Sequence, residues 1–245
     1  SDDQGVGVSA GFVFSISTLG SLAGTFLTAF YLLPEFGTQT VFYVNSVLML
    51  VMPFLFFIFG KKEYLILVLA IIFFFSNRGA FKDPGVIYSV DSVYNYLEVV
   101  DFGDFLGLKI EKRLPFIYST FPKEKNTRNF LIYDLFAAPP LINGAENNLL
   151  LGLGASTLPR LHRNFGQNFP ITGVEIDPVI VDIGRRYFHL DEIKDMNIVI
   201  EDARPFLKTK ADRYDLIEID IFRGGGEIPF YIVTREFFEL TKRRL

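Results

Sequence analysis

The fold is decided by the stretch Asn148-Leu-Leu-Leu-Gly-Leu-Gly-Ala-Ser-Thr-Leu-Pro-Arg160, followed by Gly173-Val-Glu-Ile-Asp-Pro178. The first segment predicts a buried apolar strand that runs into a glycine turn and then a helix. The second segment predicts another apolar strand, which ends on a carboxylate about 20 residues beyond the first glycine. This layout is typical of a βαβ unit that binds a nucleoside.

Around this unit, strands and helices alternate through residues 141–245, which indicates a parallel sheet. Strands are predicted at 148–151, 171–176, 197–200 and 214–219, and helices at 178–188 and 234–243. We therefore expect an α/β domain of the Rossmann-like type, with helices on both faces of the sheet. A complete sheet of this type would need strands beyond residue 245, so we expect this domain to be truncated.

The predicted strands end on groups that suit ligand binding, and ligands bind beyond the carboxyl ends of such strands. Gly152 and Gly154 would let a ligand approach the backbone closely. Glu175 follows the second strand, where a carboxylate can accept hydrogen bonds from ribose hydroxyls. Asp202 is expected near an adenine amino group. Asp220 is expected near the centre of the crevice, where a reacting group would lie.

Several polar residues also have a purely structural interpretation. Asp177 is expected to cap the following helix rather than to contact a ligand. Asp220 fits a turn-capping acid as readily as a catalyst. His162 and His189 fall in predicted helices away from the strand ends, and we expect both at the surface.

Residues 1–78 have the composition of a membrane region, with two to three predicted spans. Residues 6–33 carry no charge and are long enough to cross a bilayer of about 30 Å. A second span is predicted at 38–60, and a short third span at 64–76. We expect an integral membrane protein in contact with lipid, in a bacterial inner membrane. Its soluble part would face the cytoplasm, where a nucleoside cofactor is available.

Residues 79–140 predict a small β-rich domain. Strands are expected within 87–100, with a turn near Asp91, and again at 106–110 and 113–118. A helix is predicted at 130–136, ending before Pro139 because proline disrupts a helix interior.

Composition excludes several classes of function. The 245-residue chain has a net charge of −4 and no basic patch interleaved with aromatics, so nucleic acid is not an expected partner. It has no cysteine and only two histidines, in no metal-binding pattern, so no metal is expected. Thr157 stands where a dinucleotide fingerprint has its third glycine, and the strand ends carry carboxylates. This rim disfavours a pyrophosphate and favours a cationic ligand, such as a sulfonium nucleoside or a polyamine.

The sequence resembles the spermidine synthase (polyamine aminopropyltransferase) family, and specifically its membrane-fused bacterial members. The segments that carry the resemblance are Gly20-Ser-Leu-Ala-Gly24, Asp91-Ser-Val-Tyr-Asn95, Tyr133-Asp134, Leu150-Leu-Gly-Leu-Gly-Ala155, Val174-Glu-Ile-Asp-Pro178, Glu201-Asp202-Ala203, Tyr214-Asp-Leu-Ile-Glu-Ile-Asp220 and Glu236-Phe-Phe238. The segments around Glu175 and Asp220 are the most specific of the set.

The resemblance implies a small N-terminal β-domain before the Rossmann-like domain. It also implies transfer of an aminopropyl group from decarboxylated S-adenosylmethionine to an amine. Glu175 then corresponds to the ribose-binding glutamate, and Asp202, with Ala203 beside it, to the adenine side of the donor site. Asp220 corresponds to the general base that accepts the attacking amine's proton. Tyr133 and Asn95 correspond to the substrate-binding positions of the acceptor site. Assembly into a homo-oligomer is a further expectation.

Some positions depart from the family pattern. Ala155 stands where the family has an aspartate that holds the donor's aminopropyl nitrogen, and Arg223 replaces a second aspartate. Asn95 and Asp134 stand where the family usually has glutamine. These differences keep two alternatives open. One is a methyltransferase-like enzyme that uses S-adenosylmethionine itself. The other is a non-catalytic membrane transport or sensing protein that only binds a nucleoside.

Overall fold

A computed structural model describes residues 2–33, 36, 40–49, 51, 84–111, 116–124 and 131–245. The chain divides into two compact units, Ser1–Lys82 and Asp83–Leu245. The antiparallel and the parallel sheet both belong to the second unit. The expected boundary between residues 140 and 141 stays a prediction.

The N-terminal unit begins with helix α1, Asp2–Leu27, which continues as a π-helical turn over Thr28–Leu32. Hydroxyl side chains on α1 donate to backbone carbonyls four residues earlier, as Ser15 does to Gly11 at 2.8 Å. This bond satisfies a polar group on an apolar helix without a partner from elsewhere. A second apolar helix, α2, covers Thr40–Met49.

One described helix, Gly7–Leu32, is long and apolar enough to cross a membrane. That finding rests on length and composition, and a signal sequence near an N-terminus passes the same test. The span predicted at 38–60 is described only at 40–49 and 51, and the span predicted at 64–76 lies outside the described residues.

The second unit opens with an antiparallel sheet of four strands in sequential order. The strands are β1 (Val86–Asp91), β2 (Tyr96–Asp101), β3 (Phe105–Ile110) and β4 (Ser119–Pro122). Alternate side chains of β2 and β3, including Leu97, Val99 and Leu108, are fully buried. They form one apolar cluster with Ile183 and Phe188 of the following α/β region, so the two sheets share a core.

One sequence expectation in this region was wrong. The fourth strand is Ser119–Pro122 rather than 113–118, of which residues 113–115 lie outside the described residues. The predicted helix does end before Pro139, but a new helix that was not predicted begins there. Helix α3 (Leu131–Asp134) and a 3₁₀ turn (Leu135–Ala137) lead into helix α4 (Ala138–Asn143). Pro139 and Pro140 lie in the first turn of α4. Backbone amides of the first turn have no acceptor within the helix, so a proline there loses no helical hydrogen bond.

The parallel sheet contains strands β5 (Asn148–Leu151), β6 (Ile171–Glu175), β7 (Met196–Ile200) and β8 (Leu216–Ile219). Their order across the sheet is β7-β6-β5-β8. The connecting helices are α5 (Thr157–Asn164), α6 (Pro178–Tyr187), α7 (Ala203–Thr209) and α8 (Arg235–Lys242). Each strand agrees with its predicted position to within two residues.

Helices cover both faces of this sheet, as predicted. Leu150 points into a cluster with Leu158 of α5 and Val181 of α6. Its neighbour Leu149 points into the opposite cluster, with Phe206 of α7 and Phe237 of α8. Successive side chains of a strand point to opposite faces, so a strand that is apolar on both faces must be covered on both. The predicted α/β fold with an antiparallel and a parallel sheet is therefore confirmed.

Candidate active site

An open cavity lies at the carboxyl ends of the parallel strands, against β3 and β4 of the antiparallel sheet. All eight residues predicted as site residues line it: Asn95, Tyr133, Gly152, Gly154, Glu175, Asp202, Ala203 and Asp220. The cavity therefore brings together positions that are far apart in the sequence. The roles expected for these residues stay predictions.

The glycine turn after β5 has a conformation that requires glycine. Gly152 has a φ of +89°, and a Cβ built there would lie 2.2 Å from the carbonyl oxygen of Asp220. The Gly152 amide donates to the Val174 carbonyl at 2.9 Å, and the Asp220 amide donates to the Leu151 carbonyl at 2.8 Å. These contacts hold the ends of three neighbouring strands together, so the turn and Asp220 are positioned as one piece.

Glu175 is held by backbone amides. Its Oε2 accepts from Gly154 at 3.0 Å, and its Oε1 accepts from Asp177 at 3.1 Å. Burial raises the pKa of the Glu175 carboxyl, and the two amide donors partly oppose that shift. Each carboxylate oxygen has two lone pairs, so these two amides leave further acceptor capacity on a residue that lines the cavity.

Two acids at the strand ends are helix caps. Asp177 accepts from the Val179 amide at 3.0 Å as the N-cap of α6, which confirms the structural interpretation of this residue. Asp202 accepts from the Arg204 amide at 2.8 Å as the N-cap of α7, which the sequence reasoning did not anticipate. Asp202 nevertheless lines the cavity, so one carboxylate both caps a helix and faces the site.

Asp220 lies directly after β8, in the cavity wall beside Gly152. Burial and the negative charge of Glu218 raise the pKa of Asp220 to about 6. An acid with this pKa is ionised at neutral pH but binds a proton readily, which is the property that a general base needs.

Tyr133 and Asn95 approach the cavity from outside the parallel sheet. The Tyr133 hydroxyl donates to the Tyr118 carbonyl at 3.0 Å. Burial, together with the charge of Asp220, raises the pKa of Tyr133, so its hydroxyl stays protonated at physiological pH. Asn95 lines the cavity, and its backbone carbonyl accepts from the Ser92 amide in the turn between β1 and β2.

The sequence reasoning missed the residues that join the antiparallel sheet to the site. Ser119 on β4 accepts from the Ala155 amide at 2.9 Å, and Ser92 donates to the Asp177 carboxylate. The Tyr118 hydroxyl accepts from the Gly226 amide at 2.7 Å. No sequence pattern marks these contacts, because each joins residues more than 30 positions apart.

The two positions that depart from the family pattern lie in different surroundings. Ala155 is fully buried beneath the glycine turn and is not part of the cavity wall. Arg223 is exposed, and its guanidinium carbon lies 5.8 Å from the ring centre of Tyr231, which does line the cavity. A positive charge therefore stands near one edge of the cavity.

Four carboxylates line the cavity, namely Glu175, Glu201, Asp202 and Asp220. Within the described part of the chain, the lining residues include no lysine or arginine. Apolar side chains such as Leu153 and Ile176 complete the wall. An acidic, partly apolar cavity suits a cation that carries an aromatic group, and it is a poor site for phosphates.

The expectation for His162 was wrong. This residue is fully buried rather than at the surface, with Nε2 2.8 Å from Glu218 Oε2 and Nδ1 2.6 Å from Gln167 Oε1. His189 is exposed as expected, although it precedes a 3₁₀ turn rather than lying in a helix. The partners of His162 come from β8 and from the loop after α5, and helix periodicity alone does not reveal them.

A probable polyamine aminopropyl transferase of Bifidobacterium longum is 30% identical over 200 residues, which cover 79% of this chain and 44% of that protein. A polyamine aminopropyltransferase of Oceanobacillus iheyensis is 25% identical over 252 residues, or 92% of this chain and 48% of that protein. The chain thus spans about half the length of these relatives. No protein-family model matches it.

Solved structures agree with these relatives. A probable spermidine synthase from Corynebacterium glutamicum matches with a TM-score of 0.54 and 23% identity, over 64% of this chain and 60% of that one. The chain therefore resembles the spermidine synthase (polyamine aminopropyltransferase) proteins in sequence and in fold. A second match is spermidine synthase in complex with the transition-state analogue AdoDATO, with a TM-score of 0.53, 18% identity and 65% of this chain covered. Both solved structures are less than 25% identical to this chain, so the likeness to them shows a shared fold.

Proposed function

We propose that this chain belongs to a transferase that moves an aminopropyl group from decarboxylated S-adenosylmethionine to a polyamine acceptor. The observation that carries the proposal is the cavity, which places Asp220, Glu175 and Tyr133 together at the strand ends. The named aminopropyltransferase relatives support the same reaction. The AdoDATO complex of a spermidine synthase with the same fold supports the same class of donor.

The lining residues fit such a donor. Gly152 and Gly154 present backbone without a side chain at the cavity wall, and the fixed carboxylate of Glu175 can accept from two ribose hydroxyls. Asp202 and Ala203 would border the adenine, and the acidic wall would favour the positive sulfonium. Tyr133 and Asn95 would border the acceptor amine.

The reaction is a displacement at the carbon attached to the sulfonium sulfur. The acceptor nitrogen forms a bond to that carbon while the carbon–sulfur bond breaks, and the bonding electrons leave with methylthioadenosine. The attacking amine must lose one proton, and Asp220 is the proposed acceptor of that proton. With a pKa of about 6, Asp220 is mostly ionised at neutral pH and can take this role. The protein otherwise contributes orientation and electrostatic stabilisation.

A second candidate is a transferase that uses S-adenosylmethionine itself. The observation that favours it is Arg223, whose guanidinium lies over the ring of Tyr231 at the cavity edge, where it could attract the donor carboxylate. Ala155 supports the same alternative, since no carboxylate is present at that position to hold an aminopropyl nitrogen.

We also propose that the N-terminal unit anchors the protein in a membrane, with Gly7–Leu32 as one span. This helix is apolar over its length, and large side chains such as Phe14 and Phe30 are about three-quarters exposed. Apolar exposure of this extent is expected for a surface that contacts lipid.

The test is calorimetric titration of the detergent-solubilised protein with S-adenosylmethionine, its decarboxylated form and methylthioadenosine. Tighter binding of the decarboxylated form supports aminopropyl transfer, and tighter binding of the carboxylated form supports the second candidate. If none of the three binds, the nucleoside site itself is refuted.

Turnover then separates an enzyme from a binding protein. Asp220→Asn should lower the rate by about 10²–10⁴-fold and leave donor binding nearly unchanged, since a general base contributes to the reaction step. Equal turnover by both proteins would leave Asp220 without a catalytic role. Donor binding without turnover in the parent protein would favour the transport or sensing alternative.

A further inference from the structure

A buried polar cluster lies behind the active-site wall, between β5, β8 and α5. It consists of Asn148, His162, Gln167 and Glu218, each at most 7% exposed. The reaction proposed above uses none of them. Buried polar groups are costly unless they are hydrogen bonded, so the positions of the protons in this cluster matter.

The hydrogen bonds of the cluster place a proton on Nδ1 of His162. The Gln167 amide nitrogen donates to the Ala137 carbonyl at 2.8 Å, which turns its oxygen towards the imidazole. That oxygen lies 2.6 Å from Nδ1 of His162. Because an amide oxygen can only accept, Nδ1 must be the donor.

A second proton lies between His162 and Glu218. Nε2 is 2.8 Å from Oε2 of Glu218, and two lone pairs would repel at this distance. The Asn148 amide nitrogen also donates to this oxygen, at 2.6 Å. The second hydrogen bond to Oε2 stabilises the carboxylate form of Glu218, so the shared proton is favoured on Nε2 of His162.

The cluster is coupled to the active site through β8. Glu218 and Asp220 are two residues apart, so their side chains leave the chain on the same face. The charge of Glu218 is one cause of the raised pKa of Asp220, after burial. The other titratable groups that line the cavity are Tyr118, Tyr133 and Tyr231, and the acids Glu175, Glu201 and Asp202 at the ends of β6 and β7. Arg223 adds a positive charge near its edge.

We propose that His162 and Glu218 form a buried imidazolium–carboxylate pair that sets the proton affinity of Asp220. His162 is then a positioning residue, because its charge offsets that of Glu218 and limits the effect of Glu218 on Asp220. The part of this inference that concerns catalysis rests on the proposed function. The placement of the protons does not.

The first experiment measures the histidine directly. The chain has two histidines, so His189→Gln leaves a single imidazole whose ¹⁵N resonances report only His162. Both ring nitrogens should show imidazolium shifts at pH 7.5, and adding Glu218→Gln should convert the ring to a neutral tautomer. A neutral tautomer before Glu218 is changed would overturn the ion pair.

The second experiment follows the Asp220 carboxyl by ¹³C NMR, assigned by the signal that Asp220→Asn removes. His162→Gln should move its titration midpoint up by about one pH unit, because the Glu218 charge is left unbalanced. Glu218→Gln should move the midpoint down. Midpoints that shift in the same direction, or not at all, would show that the cluster has only a structural role.

Two variants guard against loss of folding. Glu218→Gln is nearly isosteric with the natural residue. If His162→Gln alone does not fold, the double variant His162→Gln with Glu218→Gln replaces the charged pair by a neutral one. The double variant should retain the lowered midpoint of Glu218→Gln. Both NMR readouts work without turnover, so an inactive enzyme would count against the proposed function and not against the ion pair. Where turnover is measurable, the acid limb of the pH–rate profile should follow the same two shifts.

Discussion

Asp220 is held in a position that favours its neutral form, and this has a cost in stability at neutral pH. Its folded pKa of about 6 lies above the ordinary value of 3.8, so the folded state binds more protons than the unfolded state between these values. Stability must therefore fall as the pH rises through this window.

From this we predict that Asp220→Asn stabilises the protein at pH 7.5 by about 1–3 kcal/mol, since one pKa unit corresponds to about 1.4 kcal/mol. The gain should shrink as the pH falls from 6 towards 4, where the aspartate is protonated in the folded state. Denaturant titrations at a series of pH values in detergent would measure it. Asp212→Asn, at an exposed acid, is the matched control and should change stability by less than about 0.5 kcal/mol.

Glu175 makes a different contribution, because its carboxylate already accepts two backbone amides. Glu175→Gln keeps the shape of the side chain but replaces one acceptor oxygen by an NH₂ donor. That donor would face the backbone amide or the ribose hydroxyl that now donates to the oxygen. We predict weaker binding of methylthioadenosine by about 10–100-fold, since hydrogen bonds to a charged group contribute about 1.5–3 kcal/mol. Titration calorimetry would measure the change. Glu201→Gln, at another lining acid, is the control, and an equal loss there would contradict a specific role for Glu175.

At the scale of elements, the turn between β5 and α5 holds the site together. Gly152 has a positive φ, and a Cβ at this position would overlap the carbonyl of Asp220. Any other residue would therefore introduce both backbone strain and a steric clash. Gly166 also has a positive φ, of +77°, but a Cβ there would meet nothing within 4 Å.

This pair of glycines gives a controlled prediction. Gly166→Ala should cost only the backbone strain, about 1 kcal/mol, whereas Gly152→Ala should cost more than about 3 kcal/mol because the turn must also move. Gly152→Ala should in addition abolish donor binding, since it displaces Asp220 and the amide that holds Glu175. Denaturant unfolding and calorimetry would compare the two variants. Similar losses of stability in both would show that steric contact with Asp220 does not matter.

At the scale of the whole molecule, the two units have different surfaces. The described N-terminal helices expose large apolar side chains such as Phe14 and Phe42, whereas the second unit contains three buried apolar clusters around its sheets. We predict that the chain remains with the membrane fraction after an alkaline carbonate wash and is released by detergent. Release by carbonate alone would contradict a membrane-spanning helix. The released protein should bind methylthioadenosine as tightly as the protein in membranes.

Much of the fold could be predicted because it depends on local patterns. The strand Asn148–Leu151 is buried along its whole length, as expected for a strand that is covered on both faces of its sheet. The glycine turn and the carboxylates at strand ends follow from the same pattern, since parallel strands present their carboxyl ends at one edge. For this reason the six predicted site residues that follow parallel strands line one cavity, whereas Asn95 and Tyr133 were expected there from the family resemblance.

Other features could not be predicted, because they depend on partners distant in the sequence. Pro139 fits a helix because a 3₁₀ turn before it lets a new helix begin, and no local pattern indicated this break. Ser119 bonds to the turn at Ala155 only because the antiparallel sheet packs beside the parallel one.

The order of the elements, the parallel sheet and the identity of the acids at its edge could be read from the sequence, because periodicity and glycine positions are local properties of the chain. The electrostatic state of those acids depends on the folded arrangement. Asp220 has a raised pKa because burial removes water from it and Glu218 lies nearby, and His162 is buried because Glu218 and Gln167 meet it in the folded chain. Burial and charge–charge distance exist only once the chain has folded.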